Sequence, residues 1–325
     1  MNDFITECNE TISKVQELLK QNPEWQLRFK GHAEAIEKNL GTIKKNKSMF
    51  NEWAPLHLYM TISEAKNKMI HRLRFLGQDV ASLKIENDKI TISTKSFEAN
   101  NKRDFDCNKR LEDCKWKSQE AKEFRSHFSH KQNRNKISKK RNEEHRLESL
   151  FLSEFSKKKS KEKILCNIQP VKIAGIARFQ MATPLSASNL KKMKYSNGGG
   201  GIDILSRVGS GKSTKLCIME VKDENKPKEP PTKAIQQGLA YATFLRELLR
   251  SSSGENWWKI FGFGGKIPNK LEFNVACIMP FGNNKDVSFR GKTVKFKNDS
   301  FHFHYIYFQE KNNKIEAIET SLEKK

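Results

Sequence analysis

The chain has 325 residues, and its 61 Lys and Arg against 38 Asp and Glu leave a formal net charge of +23. Such an excess predicts a polyanionic partner, because each phosphate neutralised by Lys or Arg releases condensed counterions. A run of about 18 apolar residues and a secretory leader pattern are both missing, which argues against membrane insertion and export. The six cysteines are scattered without a C-x-x-C pair, which disfavours a zinc ribbon or iron–sulfur site and points to a reducing, cytoplasmic setting.

In chain order, the first 45 or so residues read as helical. Ile12, Val15, Leu18 and Leu19 fall at helical spacing, and Pro23 ends that element. Residues 69–94 alternate apolar and polar around Gly77-Gln78 and Asn87-Asp88, as in a small antiparallel sheet. Residues 108–130 return to a charged, helix-like pattern. These parts form an expected accessory α+β region over 1–130. Residues 131–142 are basic and nearly free of apolar side chains, as in a linker or an exposed phosphate-contacting strip. Leu147, Leu150, Phe151 and Phe155 then mark one face of a helix. "VKIAGIARFQMATPL", "GIDILSRV" and "KLCIMEVK" are candidate strands, followed by a helix that Pro231 opens and two more strands, "LEFNVACIMPF" and "FHFHYIYF". The order predicts an α/β fold, a mixed central sheet flanked by helices over 143–310, with 311–325 as a charged tail.

"GSGKS" at 209–213 invites a phosphate-loop reading, which needs G-x-x-x-x-G-K-[ST] and a helix opening at the lysine. Ser206 stands where the first glycine should be, and an apolar strand-like run follows Lys212. The segment therefore reads as a glycine-rich hairpin turn.

The chemistry then falls to the strands around it. Glu220 and Lys222 alternate onto one strand face while Val221 points to the other, and pairing across the turn brings Asp203 toward them. Two carboxylates that close repel unless a cation joins them, and oxygen ligands suit Mg²⁺ or Mn²⁺.

Asp203 followed by Glu220-Val221-Lys222 resembles the signature of the PD-(D/E)xK nuclease superfamily, the restriction-endonuclease-like fold. Gln237 and Tyr241, four apart on the next helix, are similar to the Q-x-x-x-Y motif of its RecB-like members, and Glu148 matches in position an additional acidic residue that many members supply. The resemblance covers residues 143–250. No Pro precedes Asp203, and Glu64-Ala65-Lys66 and Glu120-Ala121-Lys122 match E-x-K in segments that read as helical. The resemblance implies metal-assisted phosphodiester hydrolysis, with DNA favoured over RNA. Asp203, Glu220 and Glu148 would hold the metal, Lys222 would orient water or stabilise charge, and Gln237 and Tyr241 would position the backbone or brace the lysine. A homodimer would suit cutting of both strands, and a restriction or defence role would suit a stand-alone endonuclease. The rival is a nucleic-acid-binding module on the same fold without activity.

Three further features carry two readings each. His302 and His304 share a strand face, either half-exposed or metal-binding. Trp257 and Trp258 either stack on a base or pack against their own domain. The lysines of "KKKSKEK" at 157–163 either line a groove or complement a helix end.

Overall fold

The computed structural model describes residues 3–46, 56–63, 68–86, 89–95, 105, 107, 109–130, 143–157, 165, 167–188, 190, 200–224, 229–282 and 286–322. The basic strip 131–142, most of "KKKSKEK", Cys166, the Asn87-Asp88 turn and Glu64-Ala65-Lys66 lie outside the described residues.

Two helices open the chain, α1 (Phe4–Gln21) and α2 (Trp25–Lys45), separated at Asn22 to Glu24 around Pro23. Strands β1 (His57–Ser63), β2 (Lys68–Phe75), β3 (Gln78–Glu86), β4 (Lys89–Ser93) and β5 (Cys114–Lys115) follow, then α3 (Gln119–Ser129) and α4 (Glu143–Phe155). After these come β6 (Ile168–Pro170), β7 (Lys172–Ile173), β8 (Ala177–Phe179), β9 (Ile204–Val208) and β10 (Lys215–Val221). The chain continues through α5 (Pro231–Leu249), α6 (Gly254–Ile260), β11 (Glu272–Pro280), β12 (Thr293–Phe296), β13 (Asp299–Lys311) and β14 (Lys314–Thr320). This is a mixed α/β architecture with two mixed sheets.

The first sheet runs β5-β4-β3-β2-β1-β8-β7. Its pairs are antiparallel except β1 with β8, where Tyr59 and Arg178 stand in parallel register. The turn at Leu76-Gly77 joins β2 to β3, as the alternation predicts, and Gly77 has φ +77°. The second sheet runs β12-β13-β11-β10-β9-β6, with β14 added on β13; β10, β11 and β13 are mutually parallel. Those three strands are buried along most of their length because helices cover both faces, which is why they read as apolar runs without alternation. On one face, Leu216 and Ile218 pack with Leu239, Phe244 and Leu248 of α5. On the other, Cys217, Met219 and Ile306 pack with Phe151 and Phe155 of α4.

Three expectations need correction. The run 171–185, read as a strand of the central sheet, supplies β7 and β8 to the first sheet, because β8 pairs with β1 and β7 folds back on β8. Residues 314–320, read as tail, form β14, which turns at Asn312-Asn313 and pairs with β13. Arg146 of α4 reaches Glu310 and Asn313 beside that turn, so the polar composition here reflects an edge hairpin held by charge. Among the described residues of the stretch 108–130 only 119–129 is α-helical, beginning where Ser118 caps it through the Ala121 N–H.

The N-terminal helices pack on the second sheet and its helices. Phe4 lies against Phe303 and Phe289, Phe29 against Phe244 at 4.9 Å between ring centroids, and Gln16 bonds Glu247. Trp257 donates its indole N–H to the Phe29 carbonyl, and Trp258 stacks on Phe263 at 3.9 Å. Both tryptophans are therefore core residues, which settles their two readings for packing.

Candidate active site

The glycine-rich segment is a hairpin turn. A single 3₁₀ turn, Gly211–Ser213, joins β9 to β10, with positive φ at Gly209 and Gly211 where a side chain would be strained. β9 and β10 pair antiparallel from Lys215 opposite Val208 to Met219 opposite Ile204. Lys212 is followed by a strand, so no helix N-terminus stands here to receive a phosphate.

The same register brings Asp203, just before β9, level with the end of β10. Its Oδ2 accepts the Val221 N–H at 2.8 Å, which fixes the carboxyl beside Glu220. Glu220 is buried, with Oε1 3.4 Å from the Lys222 Nζ. Its Oε2 is buried with no hydrogen-bond partner among the described residues. Lys222 has left the strand, but its N–H still bonds the Ile278 carbonyl of β11, so the ammonium is held from a rigid base.

α4 closes the site from the side. Glu148 is only 3% exposed, and Glu144, one turn earlier, puts Oε1 3.6 Å from the Lys222 Nζ. Glu154, on the same helix, pairs with Lys157 instead. Of the four acids on this helix, the fold thus brings Glu144 and Glu148 to the Asp203 and Glu220 end, while Glu143 pairs with Arg146 and Glu154 is left out.

The electrostatics follow from packing four carboxyls around one ammonium. Burial pushes the Asp203 carboxyl up to about 7, against the opposing Val221 N–H and Lys222. Glu220 lies well above the usual carboxylate range through burial and the nearby Asp203, and Glu148 does so for the same two reasons, with Arg74 opposing. Burial and neighbouring acids also raise Glu144. Burial works against the Lys222 ammonium, but Glu220, Glu144 and Asp203 outweigh it and raise its pKa. Without a further cation, the site holds protons that water would remove.

Gln237 and Tyr241 occupy successive turns of α5, both buried. The Tyr241 hydroxyl lies against Gly200, where an added Cβ would come within 1.9 Å of it. Burial, then Glu220 and Asp203, raise its pKa, while the Ala187 backbone opposes. Tyr241 thus braces the backbone at Ala187 and Gly200 beside the acids.

Comparison of the chain with protein-family models, curated proteins and solved structures gives no match.

The site also contains residues that the sequence reading passed over. Arg74 of β2 is buried, donates from Nε to Asp79 at 2.6 Å and from Nη2 to Gln180 at 2.9 Å, and acts on Glu148. Gly77 presses the β2–β3 turn onto α4: a Cβ there would meet the His145 carbonyl at 1.9 Å. The sequence signals were a strand arginine, next to a second one at Arg72, and a glycine at a turn. His302 bonds Thr293 and Ser300, and His304 bonds Asn274 and Ser321, so this pair is held by strand neighbours. Glu120 and Lys122 of the competing E-x-K sit on α3, as expected for a helix. Among the described residues no group of three or more His, Cys, Asp and Glu is drawn together tightly enough to grip a metal ion. The donor set nonetheless suits a hard cation: the carboxyls offer only oxygen, and one buried oxygen has no hydrogen-bond partner among the described residues.

Proposed function

We propose that the protein is a metal-dependent nuclease that hydrolyses phosphodiester bonds, with DNA as the favoured substrate. The observation that carries this reading is the buried Oε2 of Glu220, which has no hydrogen-bond partner among the described residues, beside Asp203 and Lys222. An acid pair whose protons are held by burial gains stability when a divalent cation replaces them. Asp203, Glu220 and Glu148 would hold Mg²⁺ or Mn²⁺, and the bound ion would polarise the phosphate and lower the pKa of the attacking water.

The chain's own residues supply the rest. Lys222, held between Glu220 and Glu144, keeps its proton and presents positive charge where negative charge grows on the phosphate. The Val221 N–H orients Asp203 before substrate arrives. Tyr241 holds the backbone at Ala187 and Gly200 that borders the acids, and Gln237, one turn earlier, would position the substrate backbone or brace Lys222. The net charge of +23 supports a polyanionic substrate. Among the described residues no helix is long and apolar enough to cross a membrane. An endonuclease of restriction or defence, acting in the cytoplasm and paired as a homodimer to cut both strands, is the setting that fits a stand-alone enzyme of this kind.

The test is cleavage of circular and linear, double- and single-stranded DNA and of RNA with Mg²⁺, Mn²⁺ or EDTA. Wild type should cut in either metal and not in EDTA, and Asp203→Ala or Glu220→Ala should abolish cutting while keeping binding. Equal cutting by wild type and both variants would overturn the site. Tight, salt-sensitive binding with no cutting of any substrate would identify a nucleic-acid-binding module instead.

A further inference from the structure

The β2–β3 hairpin of the first sheet reaches the acidic site through one side chain. Arg74 is 8% exposed. Its Nε donates to Asp79 Oδ1 at 2.6 Å, its Nη2 donates to Gln180 Oε1 at 2.9 Å, and its Cζ lies 4.4 Å from the centroid of the Tyr59 ring. These contacts fix the plane of the guanidinium and use only part of its fork. Nη1 makes no hydrogen bond among the described residues, although buried charged donors are ordinarily bonded.

The backbone sets this arginine beside the acids. Gly77, at the end of the same hairpin, presses on the His145 carbonyl, which docks the hairpin on the first turn of α4. Tyr59 packs in one apolar cluster with Leu147 and Phe151, so the ring under Arg74 lies against the part of α4 that carries Glu148. Gln180 ties the other side. Ala182 bridges Gly201 antiparallel, with Ile202 donating to the Met181 carbonyl, and continuing that register sets Gln180 level with Asp203. Arg74 is therefore held between α4 and the segment that delivers Asp203.

Glu148 shows the complementary feature. It is only 3% exposed, and its one ion-pair contact among the described residues is to His145 Nε2 at 3.9 Å. Arg74 and Glu148 act on each other's charge, yet no ion pair joins them. The fold spends the arginine's direct contacts on Asp79, Gln180 and Tyr59 and keeps it one step away from the glutamate. An arginine and a buried acid that attract without meeting suit a third group held next to both. A phosphate at the acid end of β10 has Lys222 on the side of Glu220 and Glu144, and Arg74 on the side of Glu148.

We propose that Arg74 is a catalytic residue supplied by the first sheet, whose Nη1 donates to a non-bridging oxygen of the phosphate under attack. The proposal rests on the nuclease reading for its substrate. Lys222 and Arg74 then share the negative charge that grows on the phosphate, and the second sheet alone does not hold a complete active site.

The test begins in EDTA, where nothing is cut. It measures anisotropy of a short labelled single-stranded DNA at several salt concentrations, and the thermal shift given by inorganic phosphate. Glu220→Gln, which removes one carboxyl charge from the site, is the parent; Arg74→Gln and Arg74→Lys are added to it, and circular dichroism checks each fold. Arg74→Gln should bind DNA more weakly, with a salt slope lower by about 0.7 for one lost single-strand phosphate contact. Phosphate should stabilise the parent and not Arg74→Gln, whereas Arg74→Lys should keep the parent's slope. With Mg²⁺ and the acids intact, Arg74→Gln should lower kcat by about 100-fold with a much smaller change in KM, because the contact strengthens as charge grows. Arg74→Lys, which keeps the charge and loses the fork, should lie between it and wild type. Should the Arg74 variants not fold, Gln180→Ala carries the test, since it leaves the Asp79 pair and frees the fork to turn: kcat should fall with KM kept. A folded Arg74→Gln with the parent's salt slope and phosphate shift would overturn the contact. So would a wild-type kcat in Arg74→Gln or, where that variant does not fold, in Gln180→Ala. Failure of wild type to cut any substrate with metal defeats the nuclease reading, while the measurements in EDTA still decide whether Arg74 meets a phosphate.

Discussion

The proton held at Asp203 makes stability depend on pH in a direction that can be measured. Its folded pKa of about 7 lies above the ordinary 3.8, so the folded state binds the proton more tightly than the unfolded chain does. The contribution to stability is therefore full below pH 4 and is lost as pH rises through about 7. At about 1.36 kcal/mol per pH unit, the interval corresponds to about 4 kcal/mol for an isolated carboxyl. Asp203→Asn removes the titration while its amide oxygen can still accept the Val221 N–H. Urea unfolding in EDTA at pH 4.5, 6, 7 and 8 gives the difference between variant and wild type, in which the effect of the other charges largely cancels. The variant should gain on wild type steadily with pH, reaching a few kcal/mol by pH 8. Mn²⁺ should reverse the order, stabilising wild type more at pH 8 than at pH 5.5 and leaving the variant nearly unmoved. A difference that is flat from pH 4.5 to 8 would show that the carboxyls ionise freely, and the argument for a cation site would fall with it.

Two structural predictions accompany it. Asp299, fully buried, accepts from Arg246, Arg250 and the Leu271 N–H, so Asp299→Ala should destabilise by about 3–5 kcal/mol through the uncompensated guanidiniums; a loss under 1 kcal/mol by urea unfolding would mean the network is solvated. Gly77→Ala must place a methyl 1.9 Å from the His145 carbonyl at φ +77°, so it should lower the melting temperature and cut metal-dependent cleavage through displaced α4 acids. Cleavage at the wild-type rate would separate the turn from the site.

Several elements were legible before any coordinates. Pro23, the alternation around Gly77 and the glycines of 209–211 fixed local structure, because caps, turns and periodicity act within a few residues. Strand alternation likewise placed Glu220 and Lys222 on one face, and their contact at 3.4 Å follows from it. The choice among Glu144, Glu148 and Glu154 was beyond such rules, since all three lie on one amphipathic helix. Only the docking of α4, pinned by Gly77 on one side and by Arg146 to Glu310 on the other, turned Glu144 and Glu148 inward.

The same limit applies to β7, β8 and β14. A short apolar or polar run carries no record of which sheet it will join, because strand partners are chosen by long-range pairing. Arg74 and Arg178 show the consequence most clearly: by sequence each is one basic residue in a strand-like run, and Arg74 is indistinguishable from its neighbour Arg72. Parallel pairing of β1 with β8 sets Tyr59 between them, Arg74 acting on Glu148 and Arg178 bonding Ser149 and Ser153 of α4. The sequence by itself determined the chemistry available, an acid pair with a lysine in a strongly basic chain. Tertiary structure alone decided which charges are buried without partners, because burial and pairing are properties of surfaces brought together from distant parts of the chain.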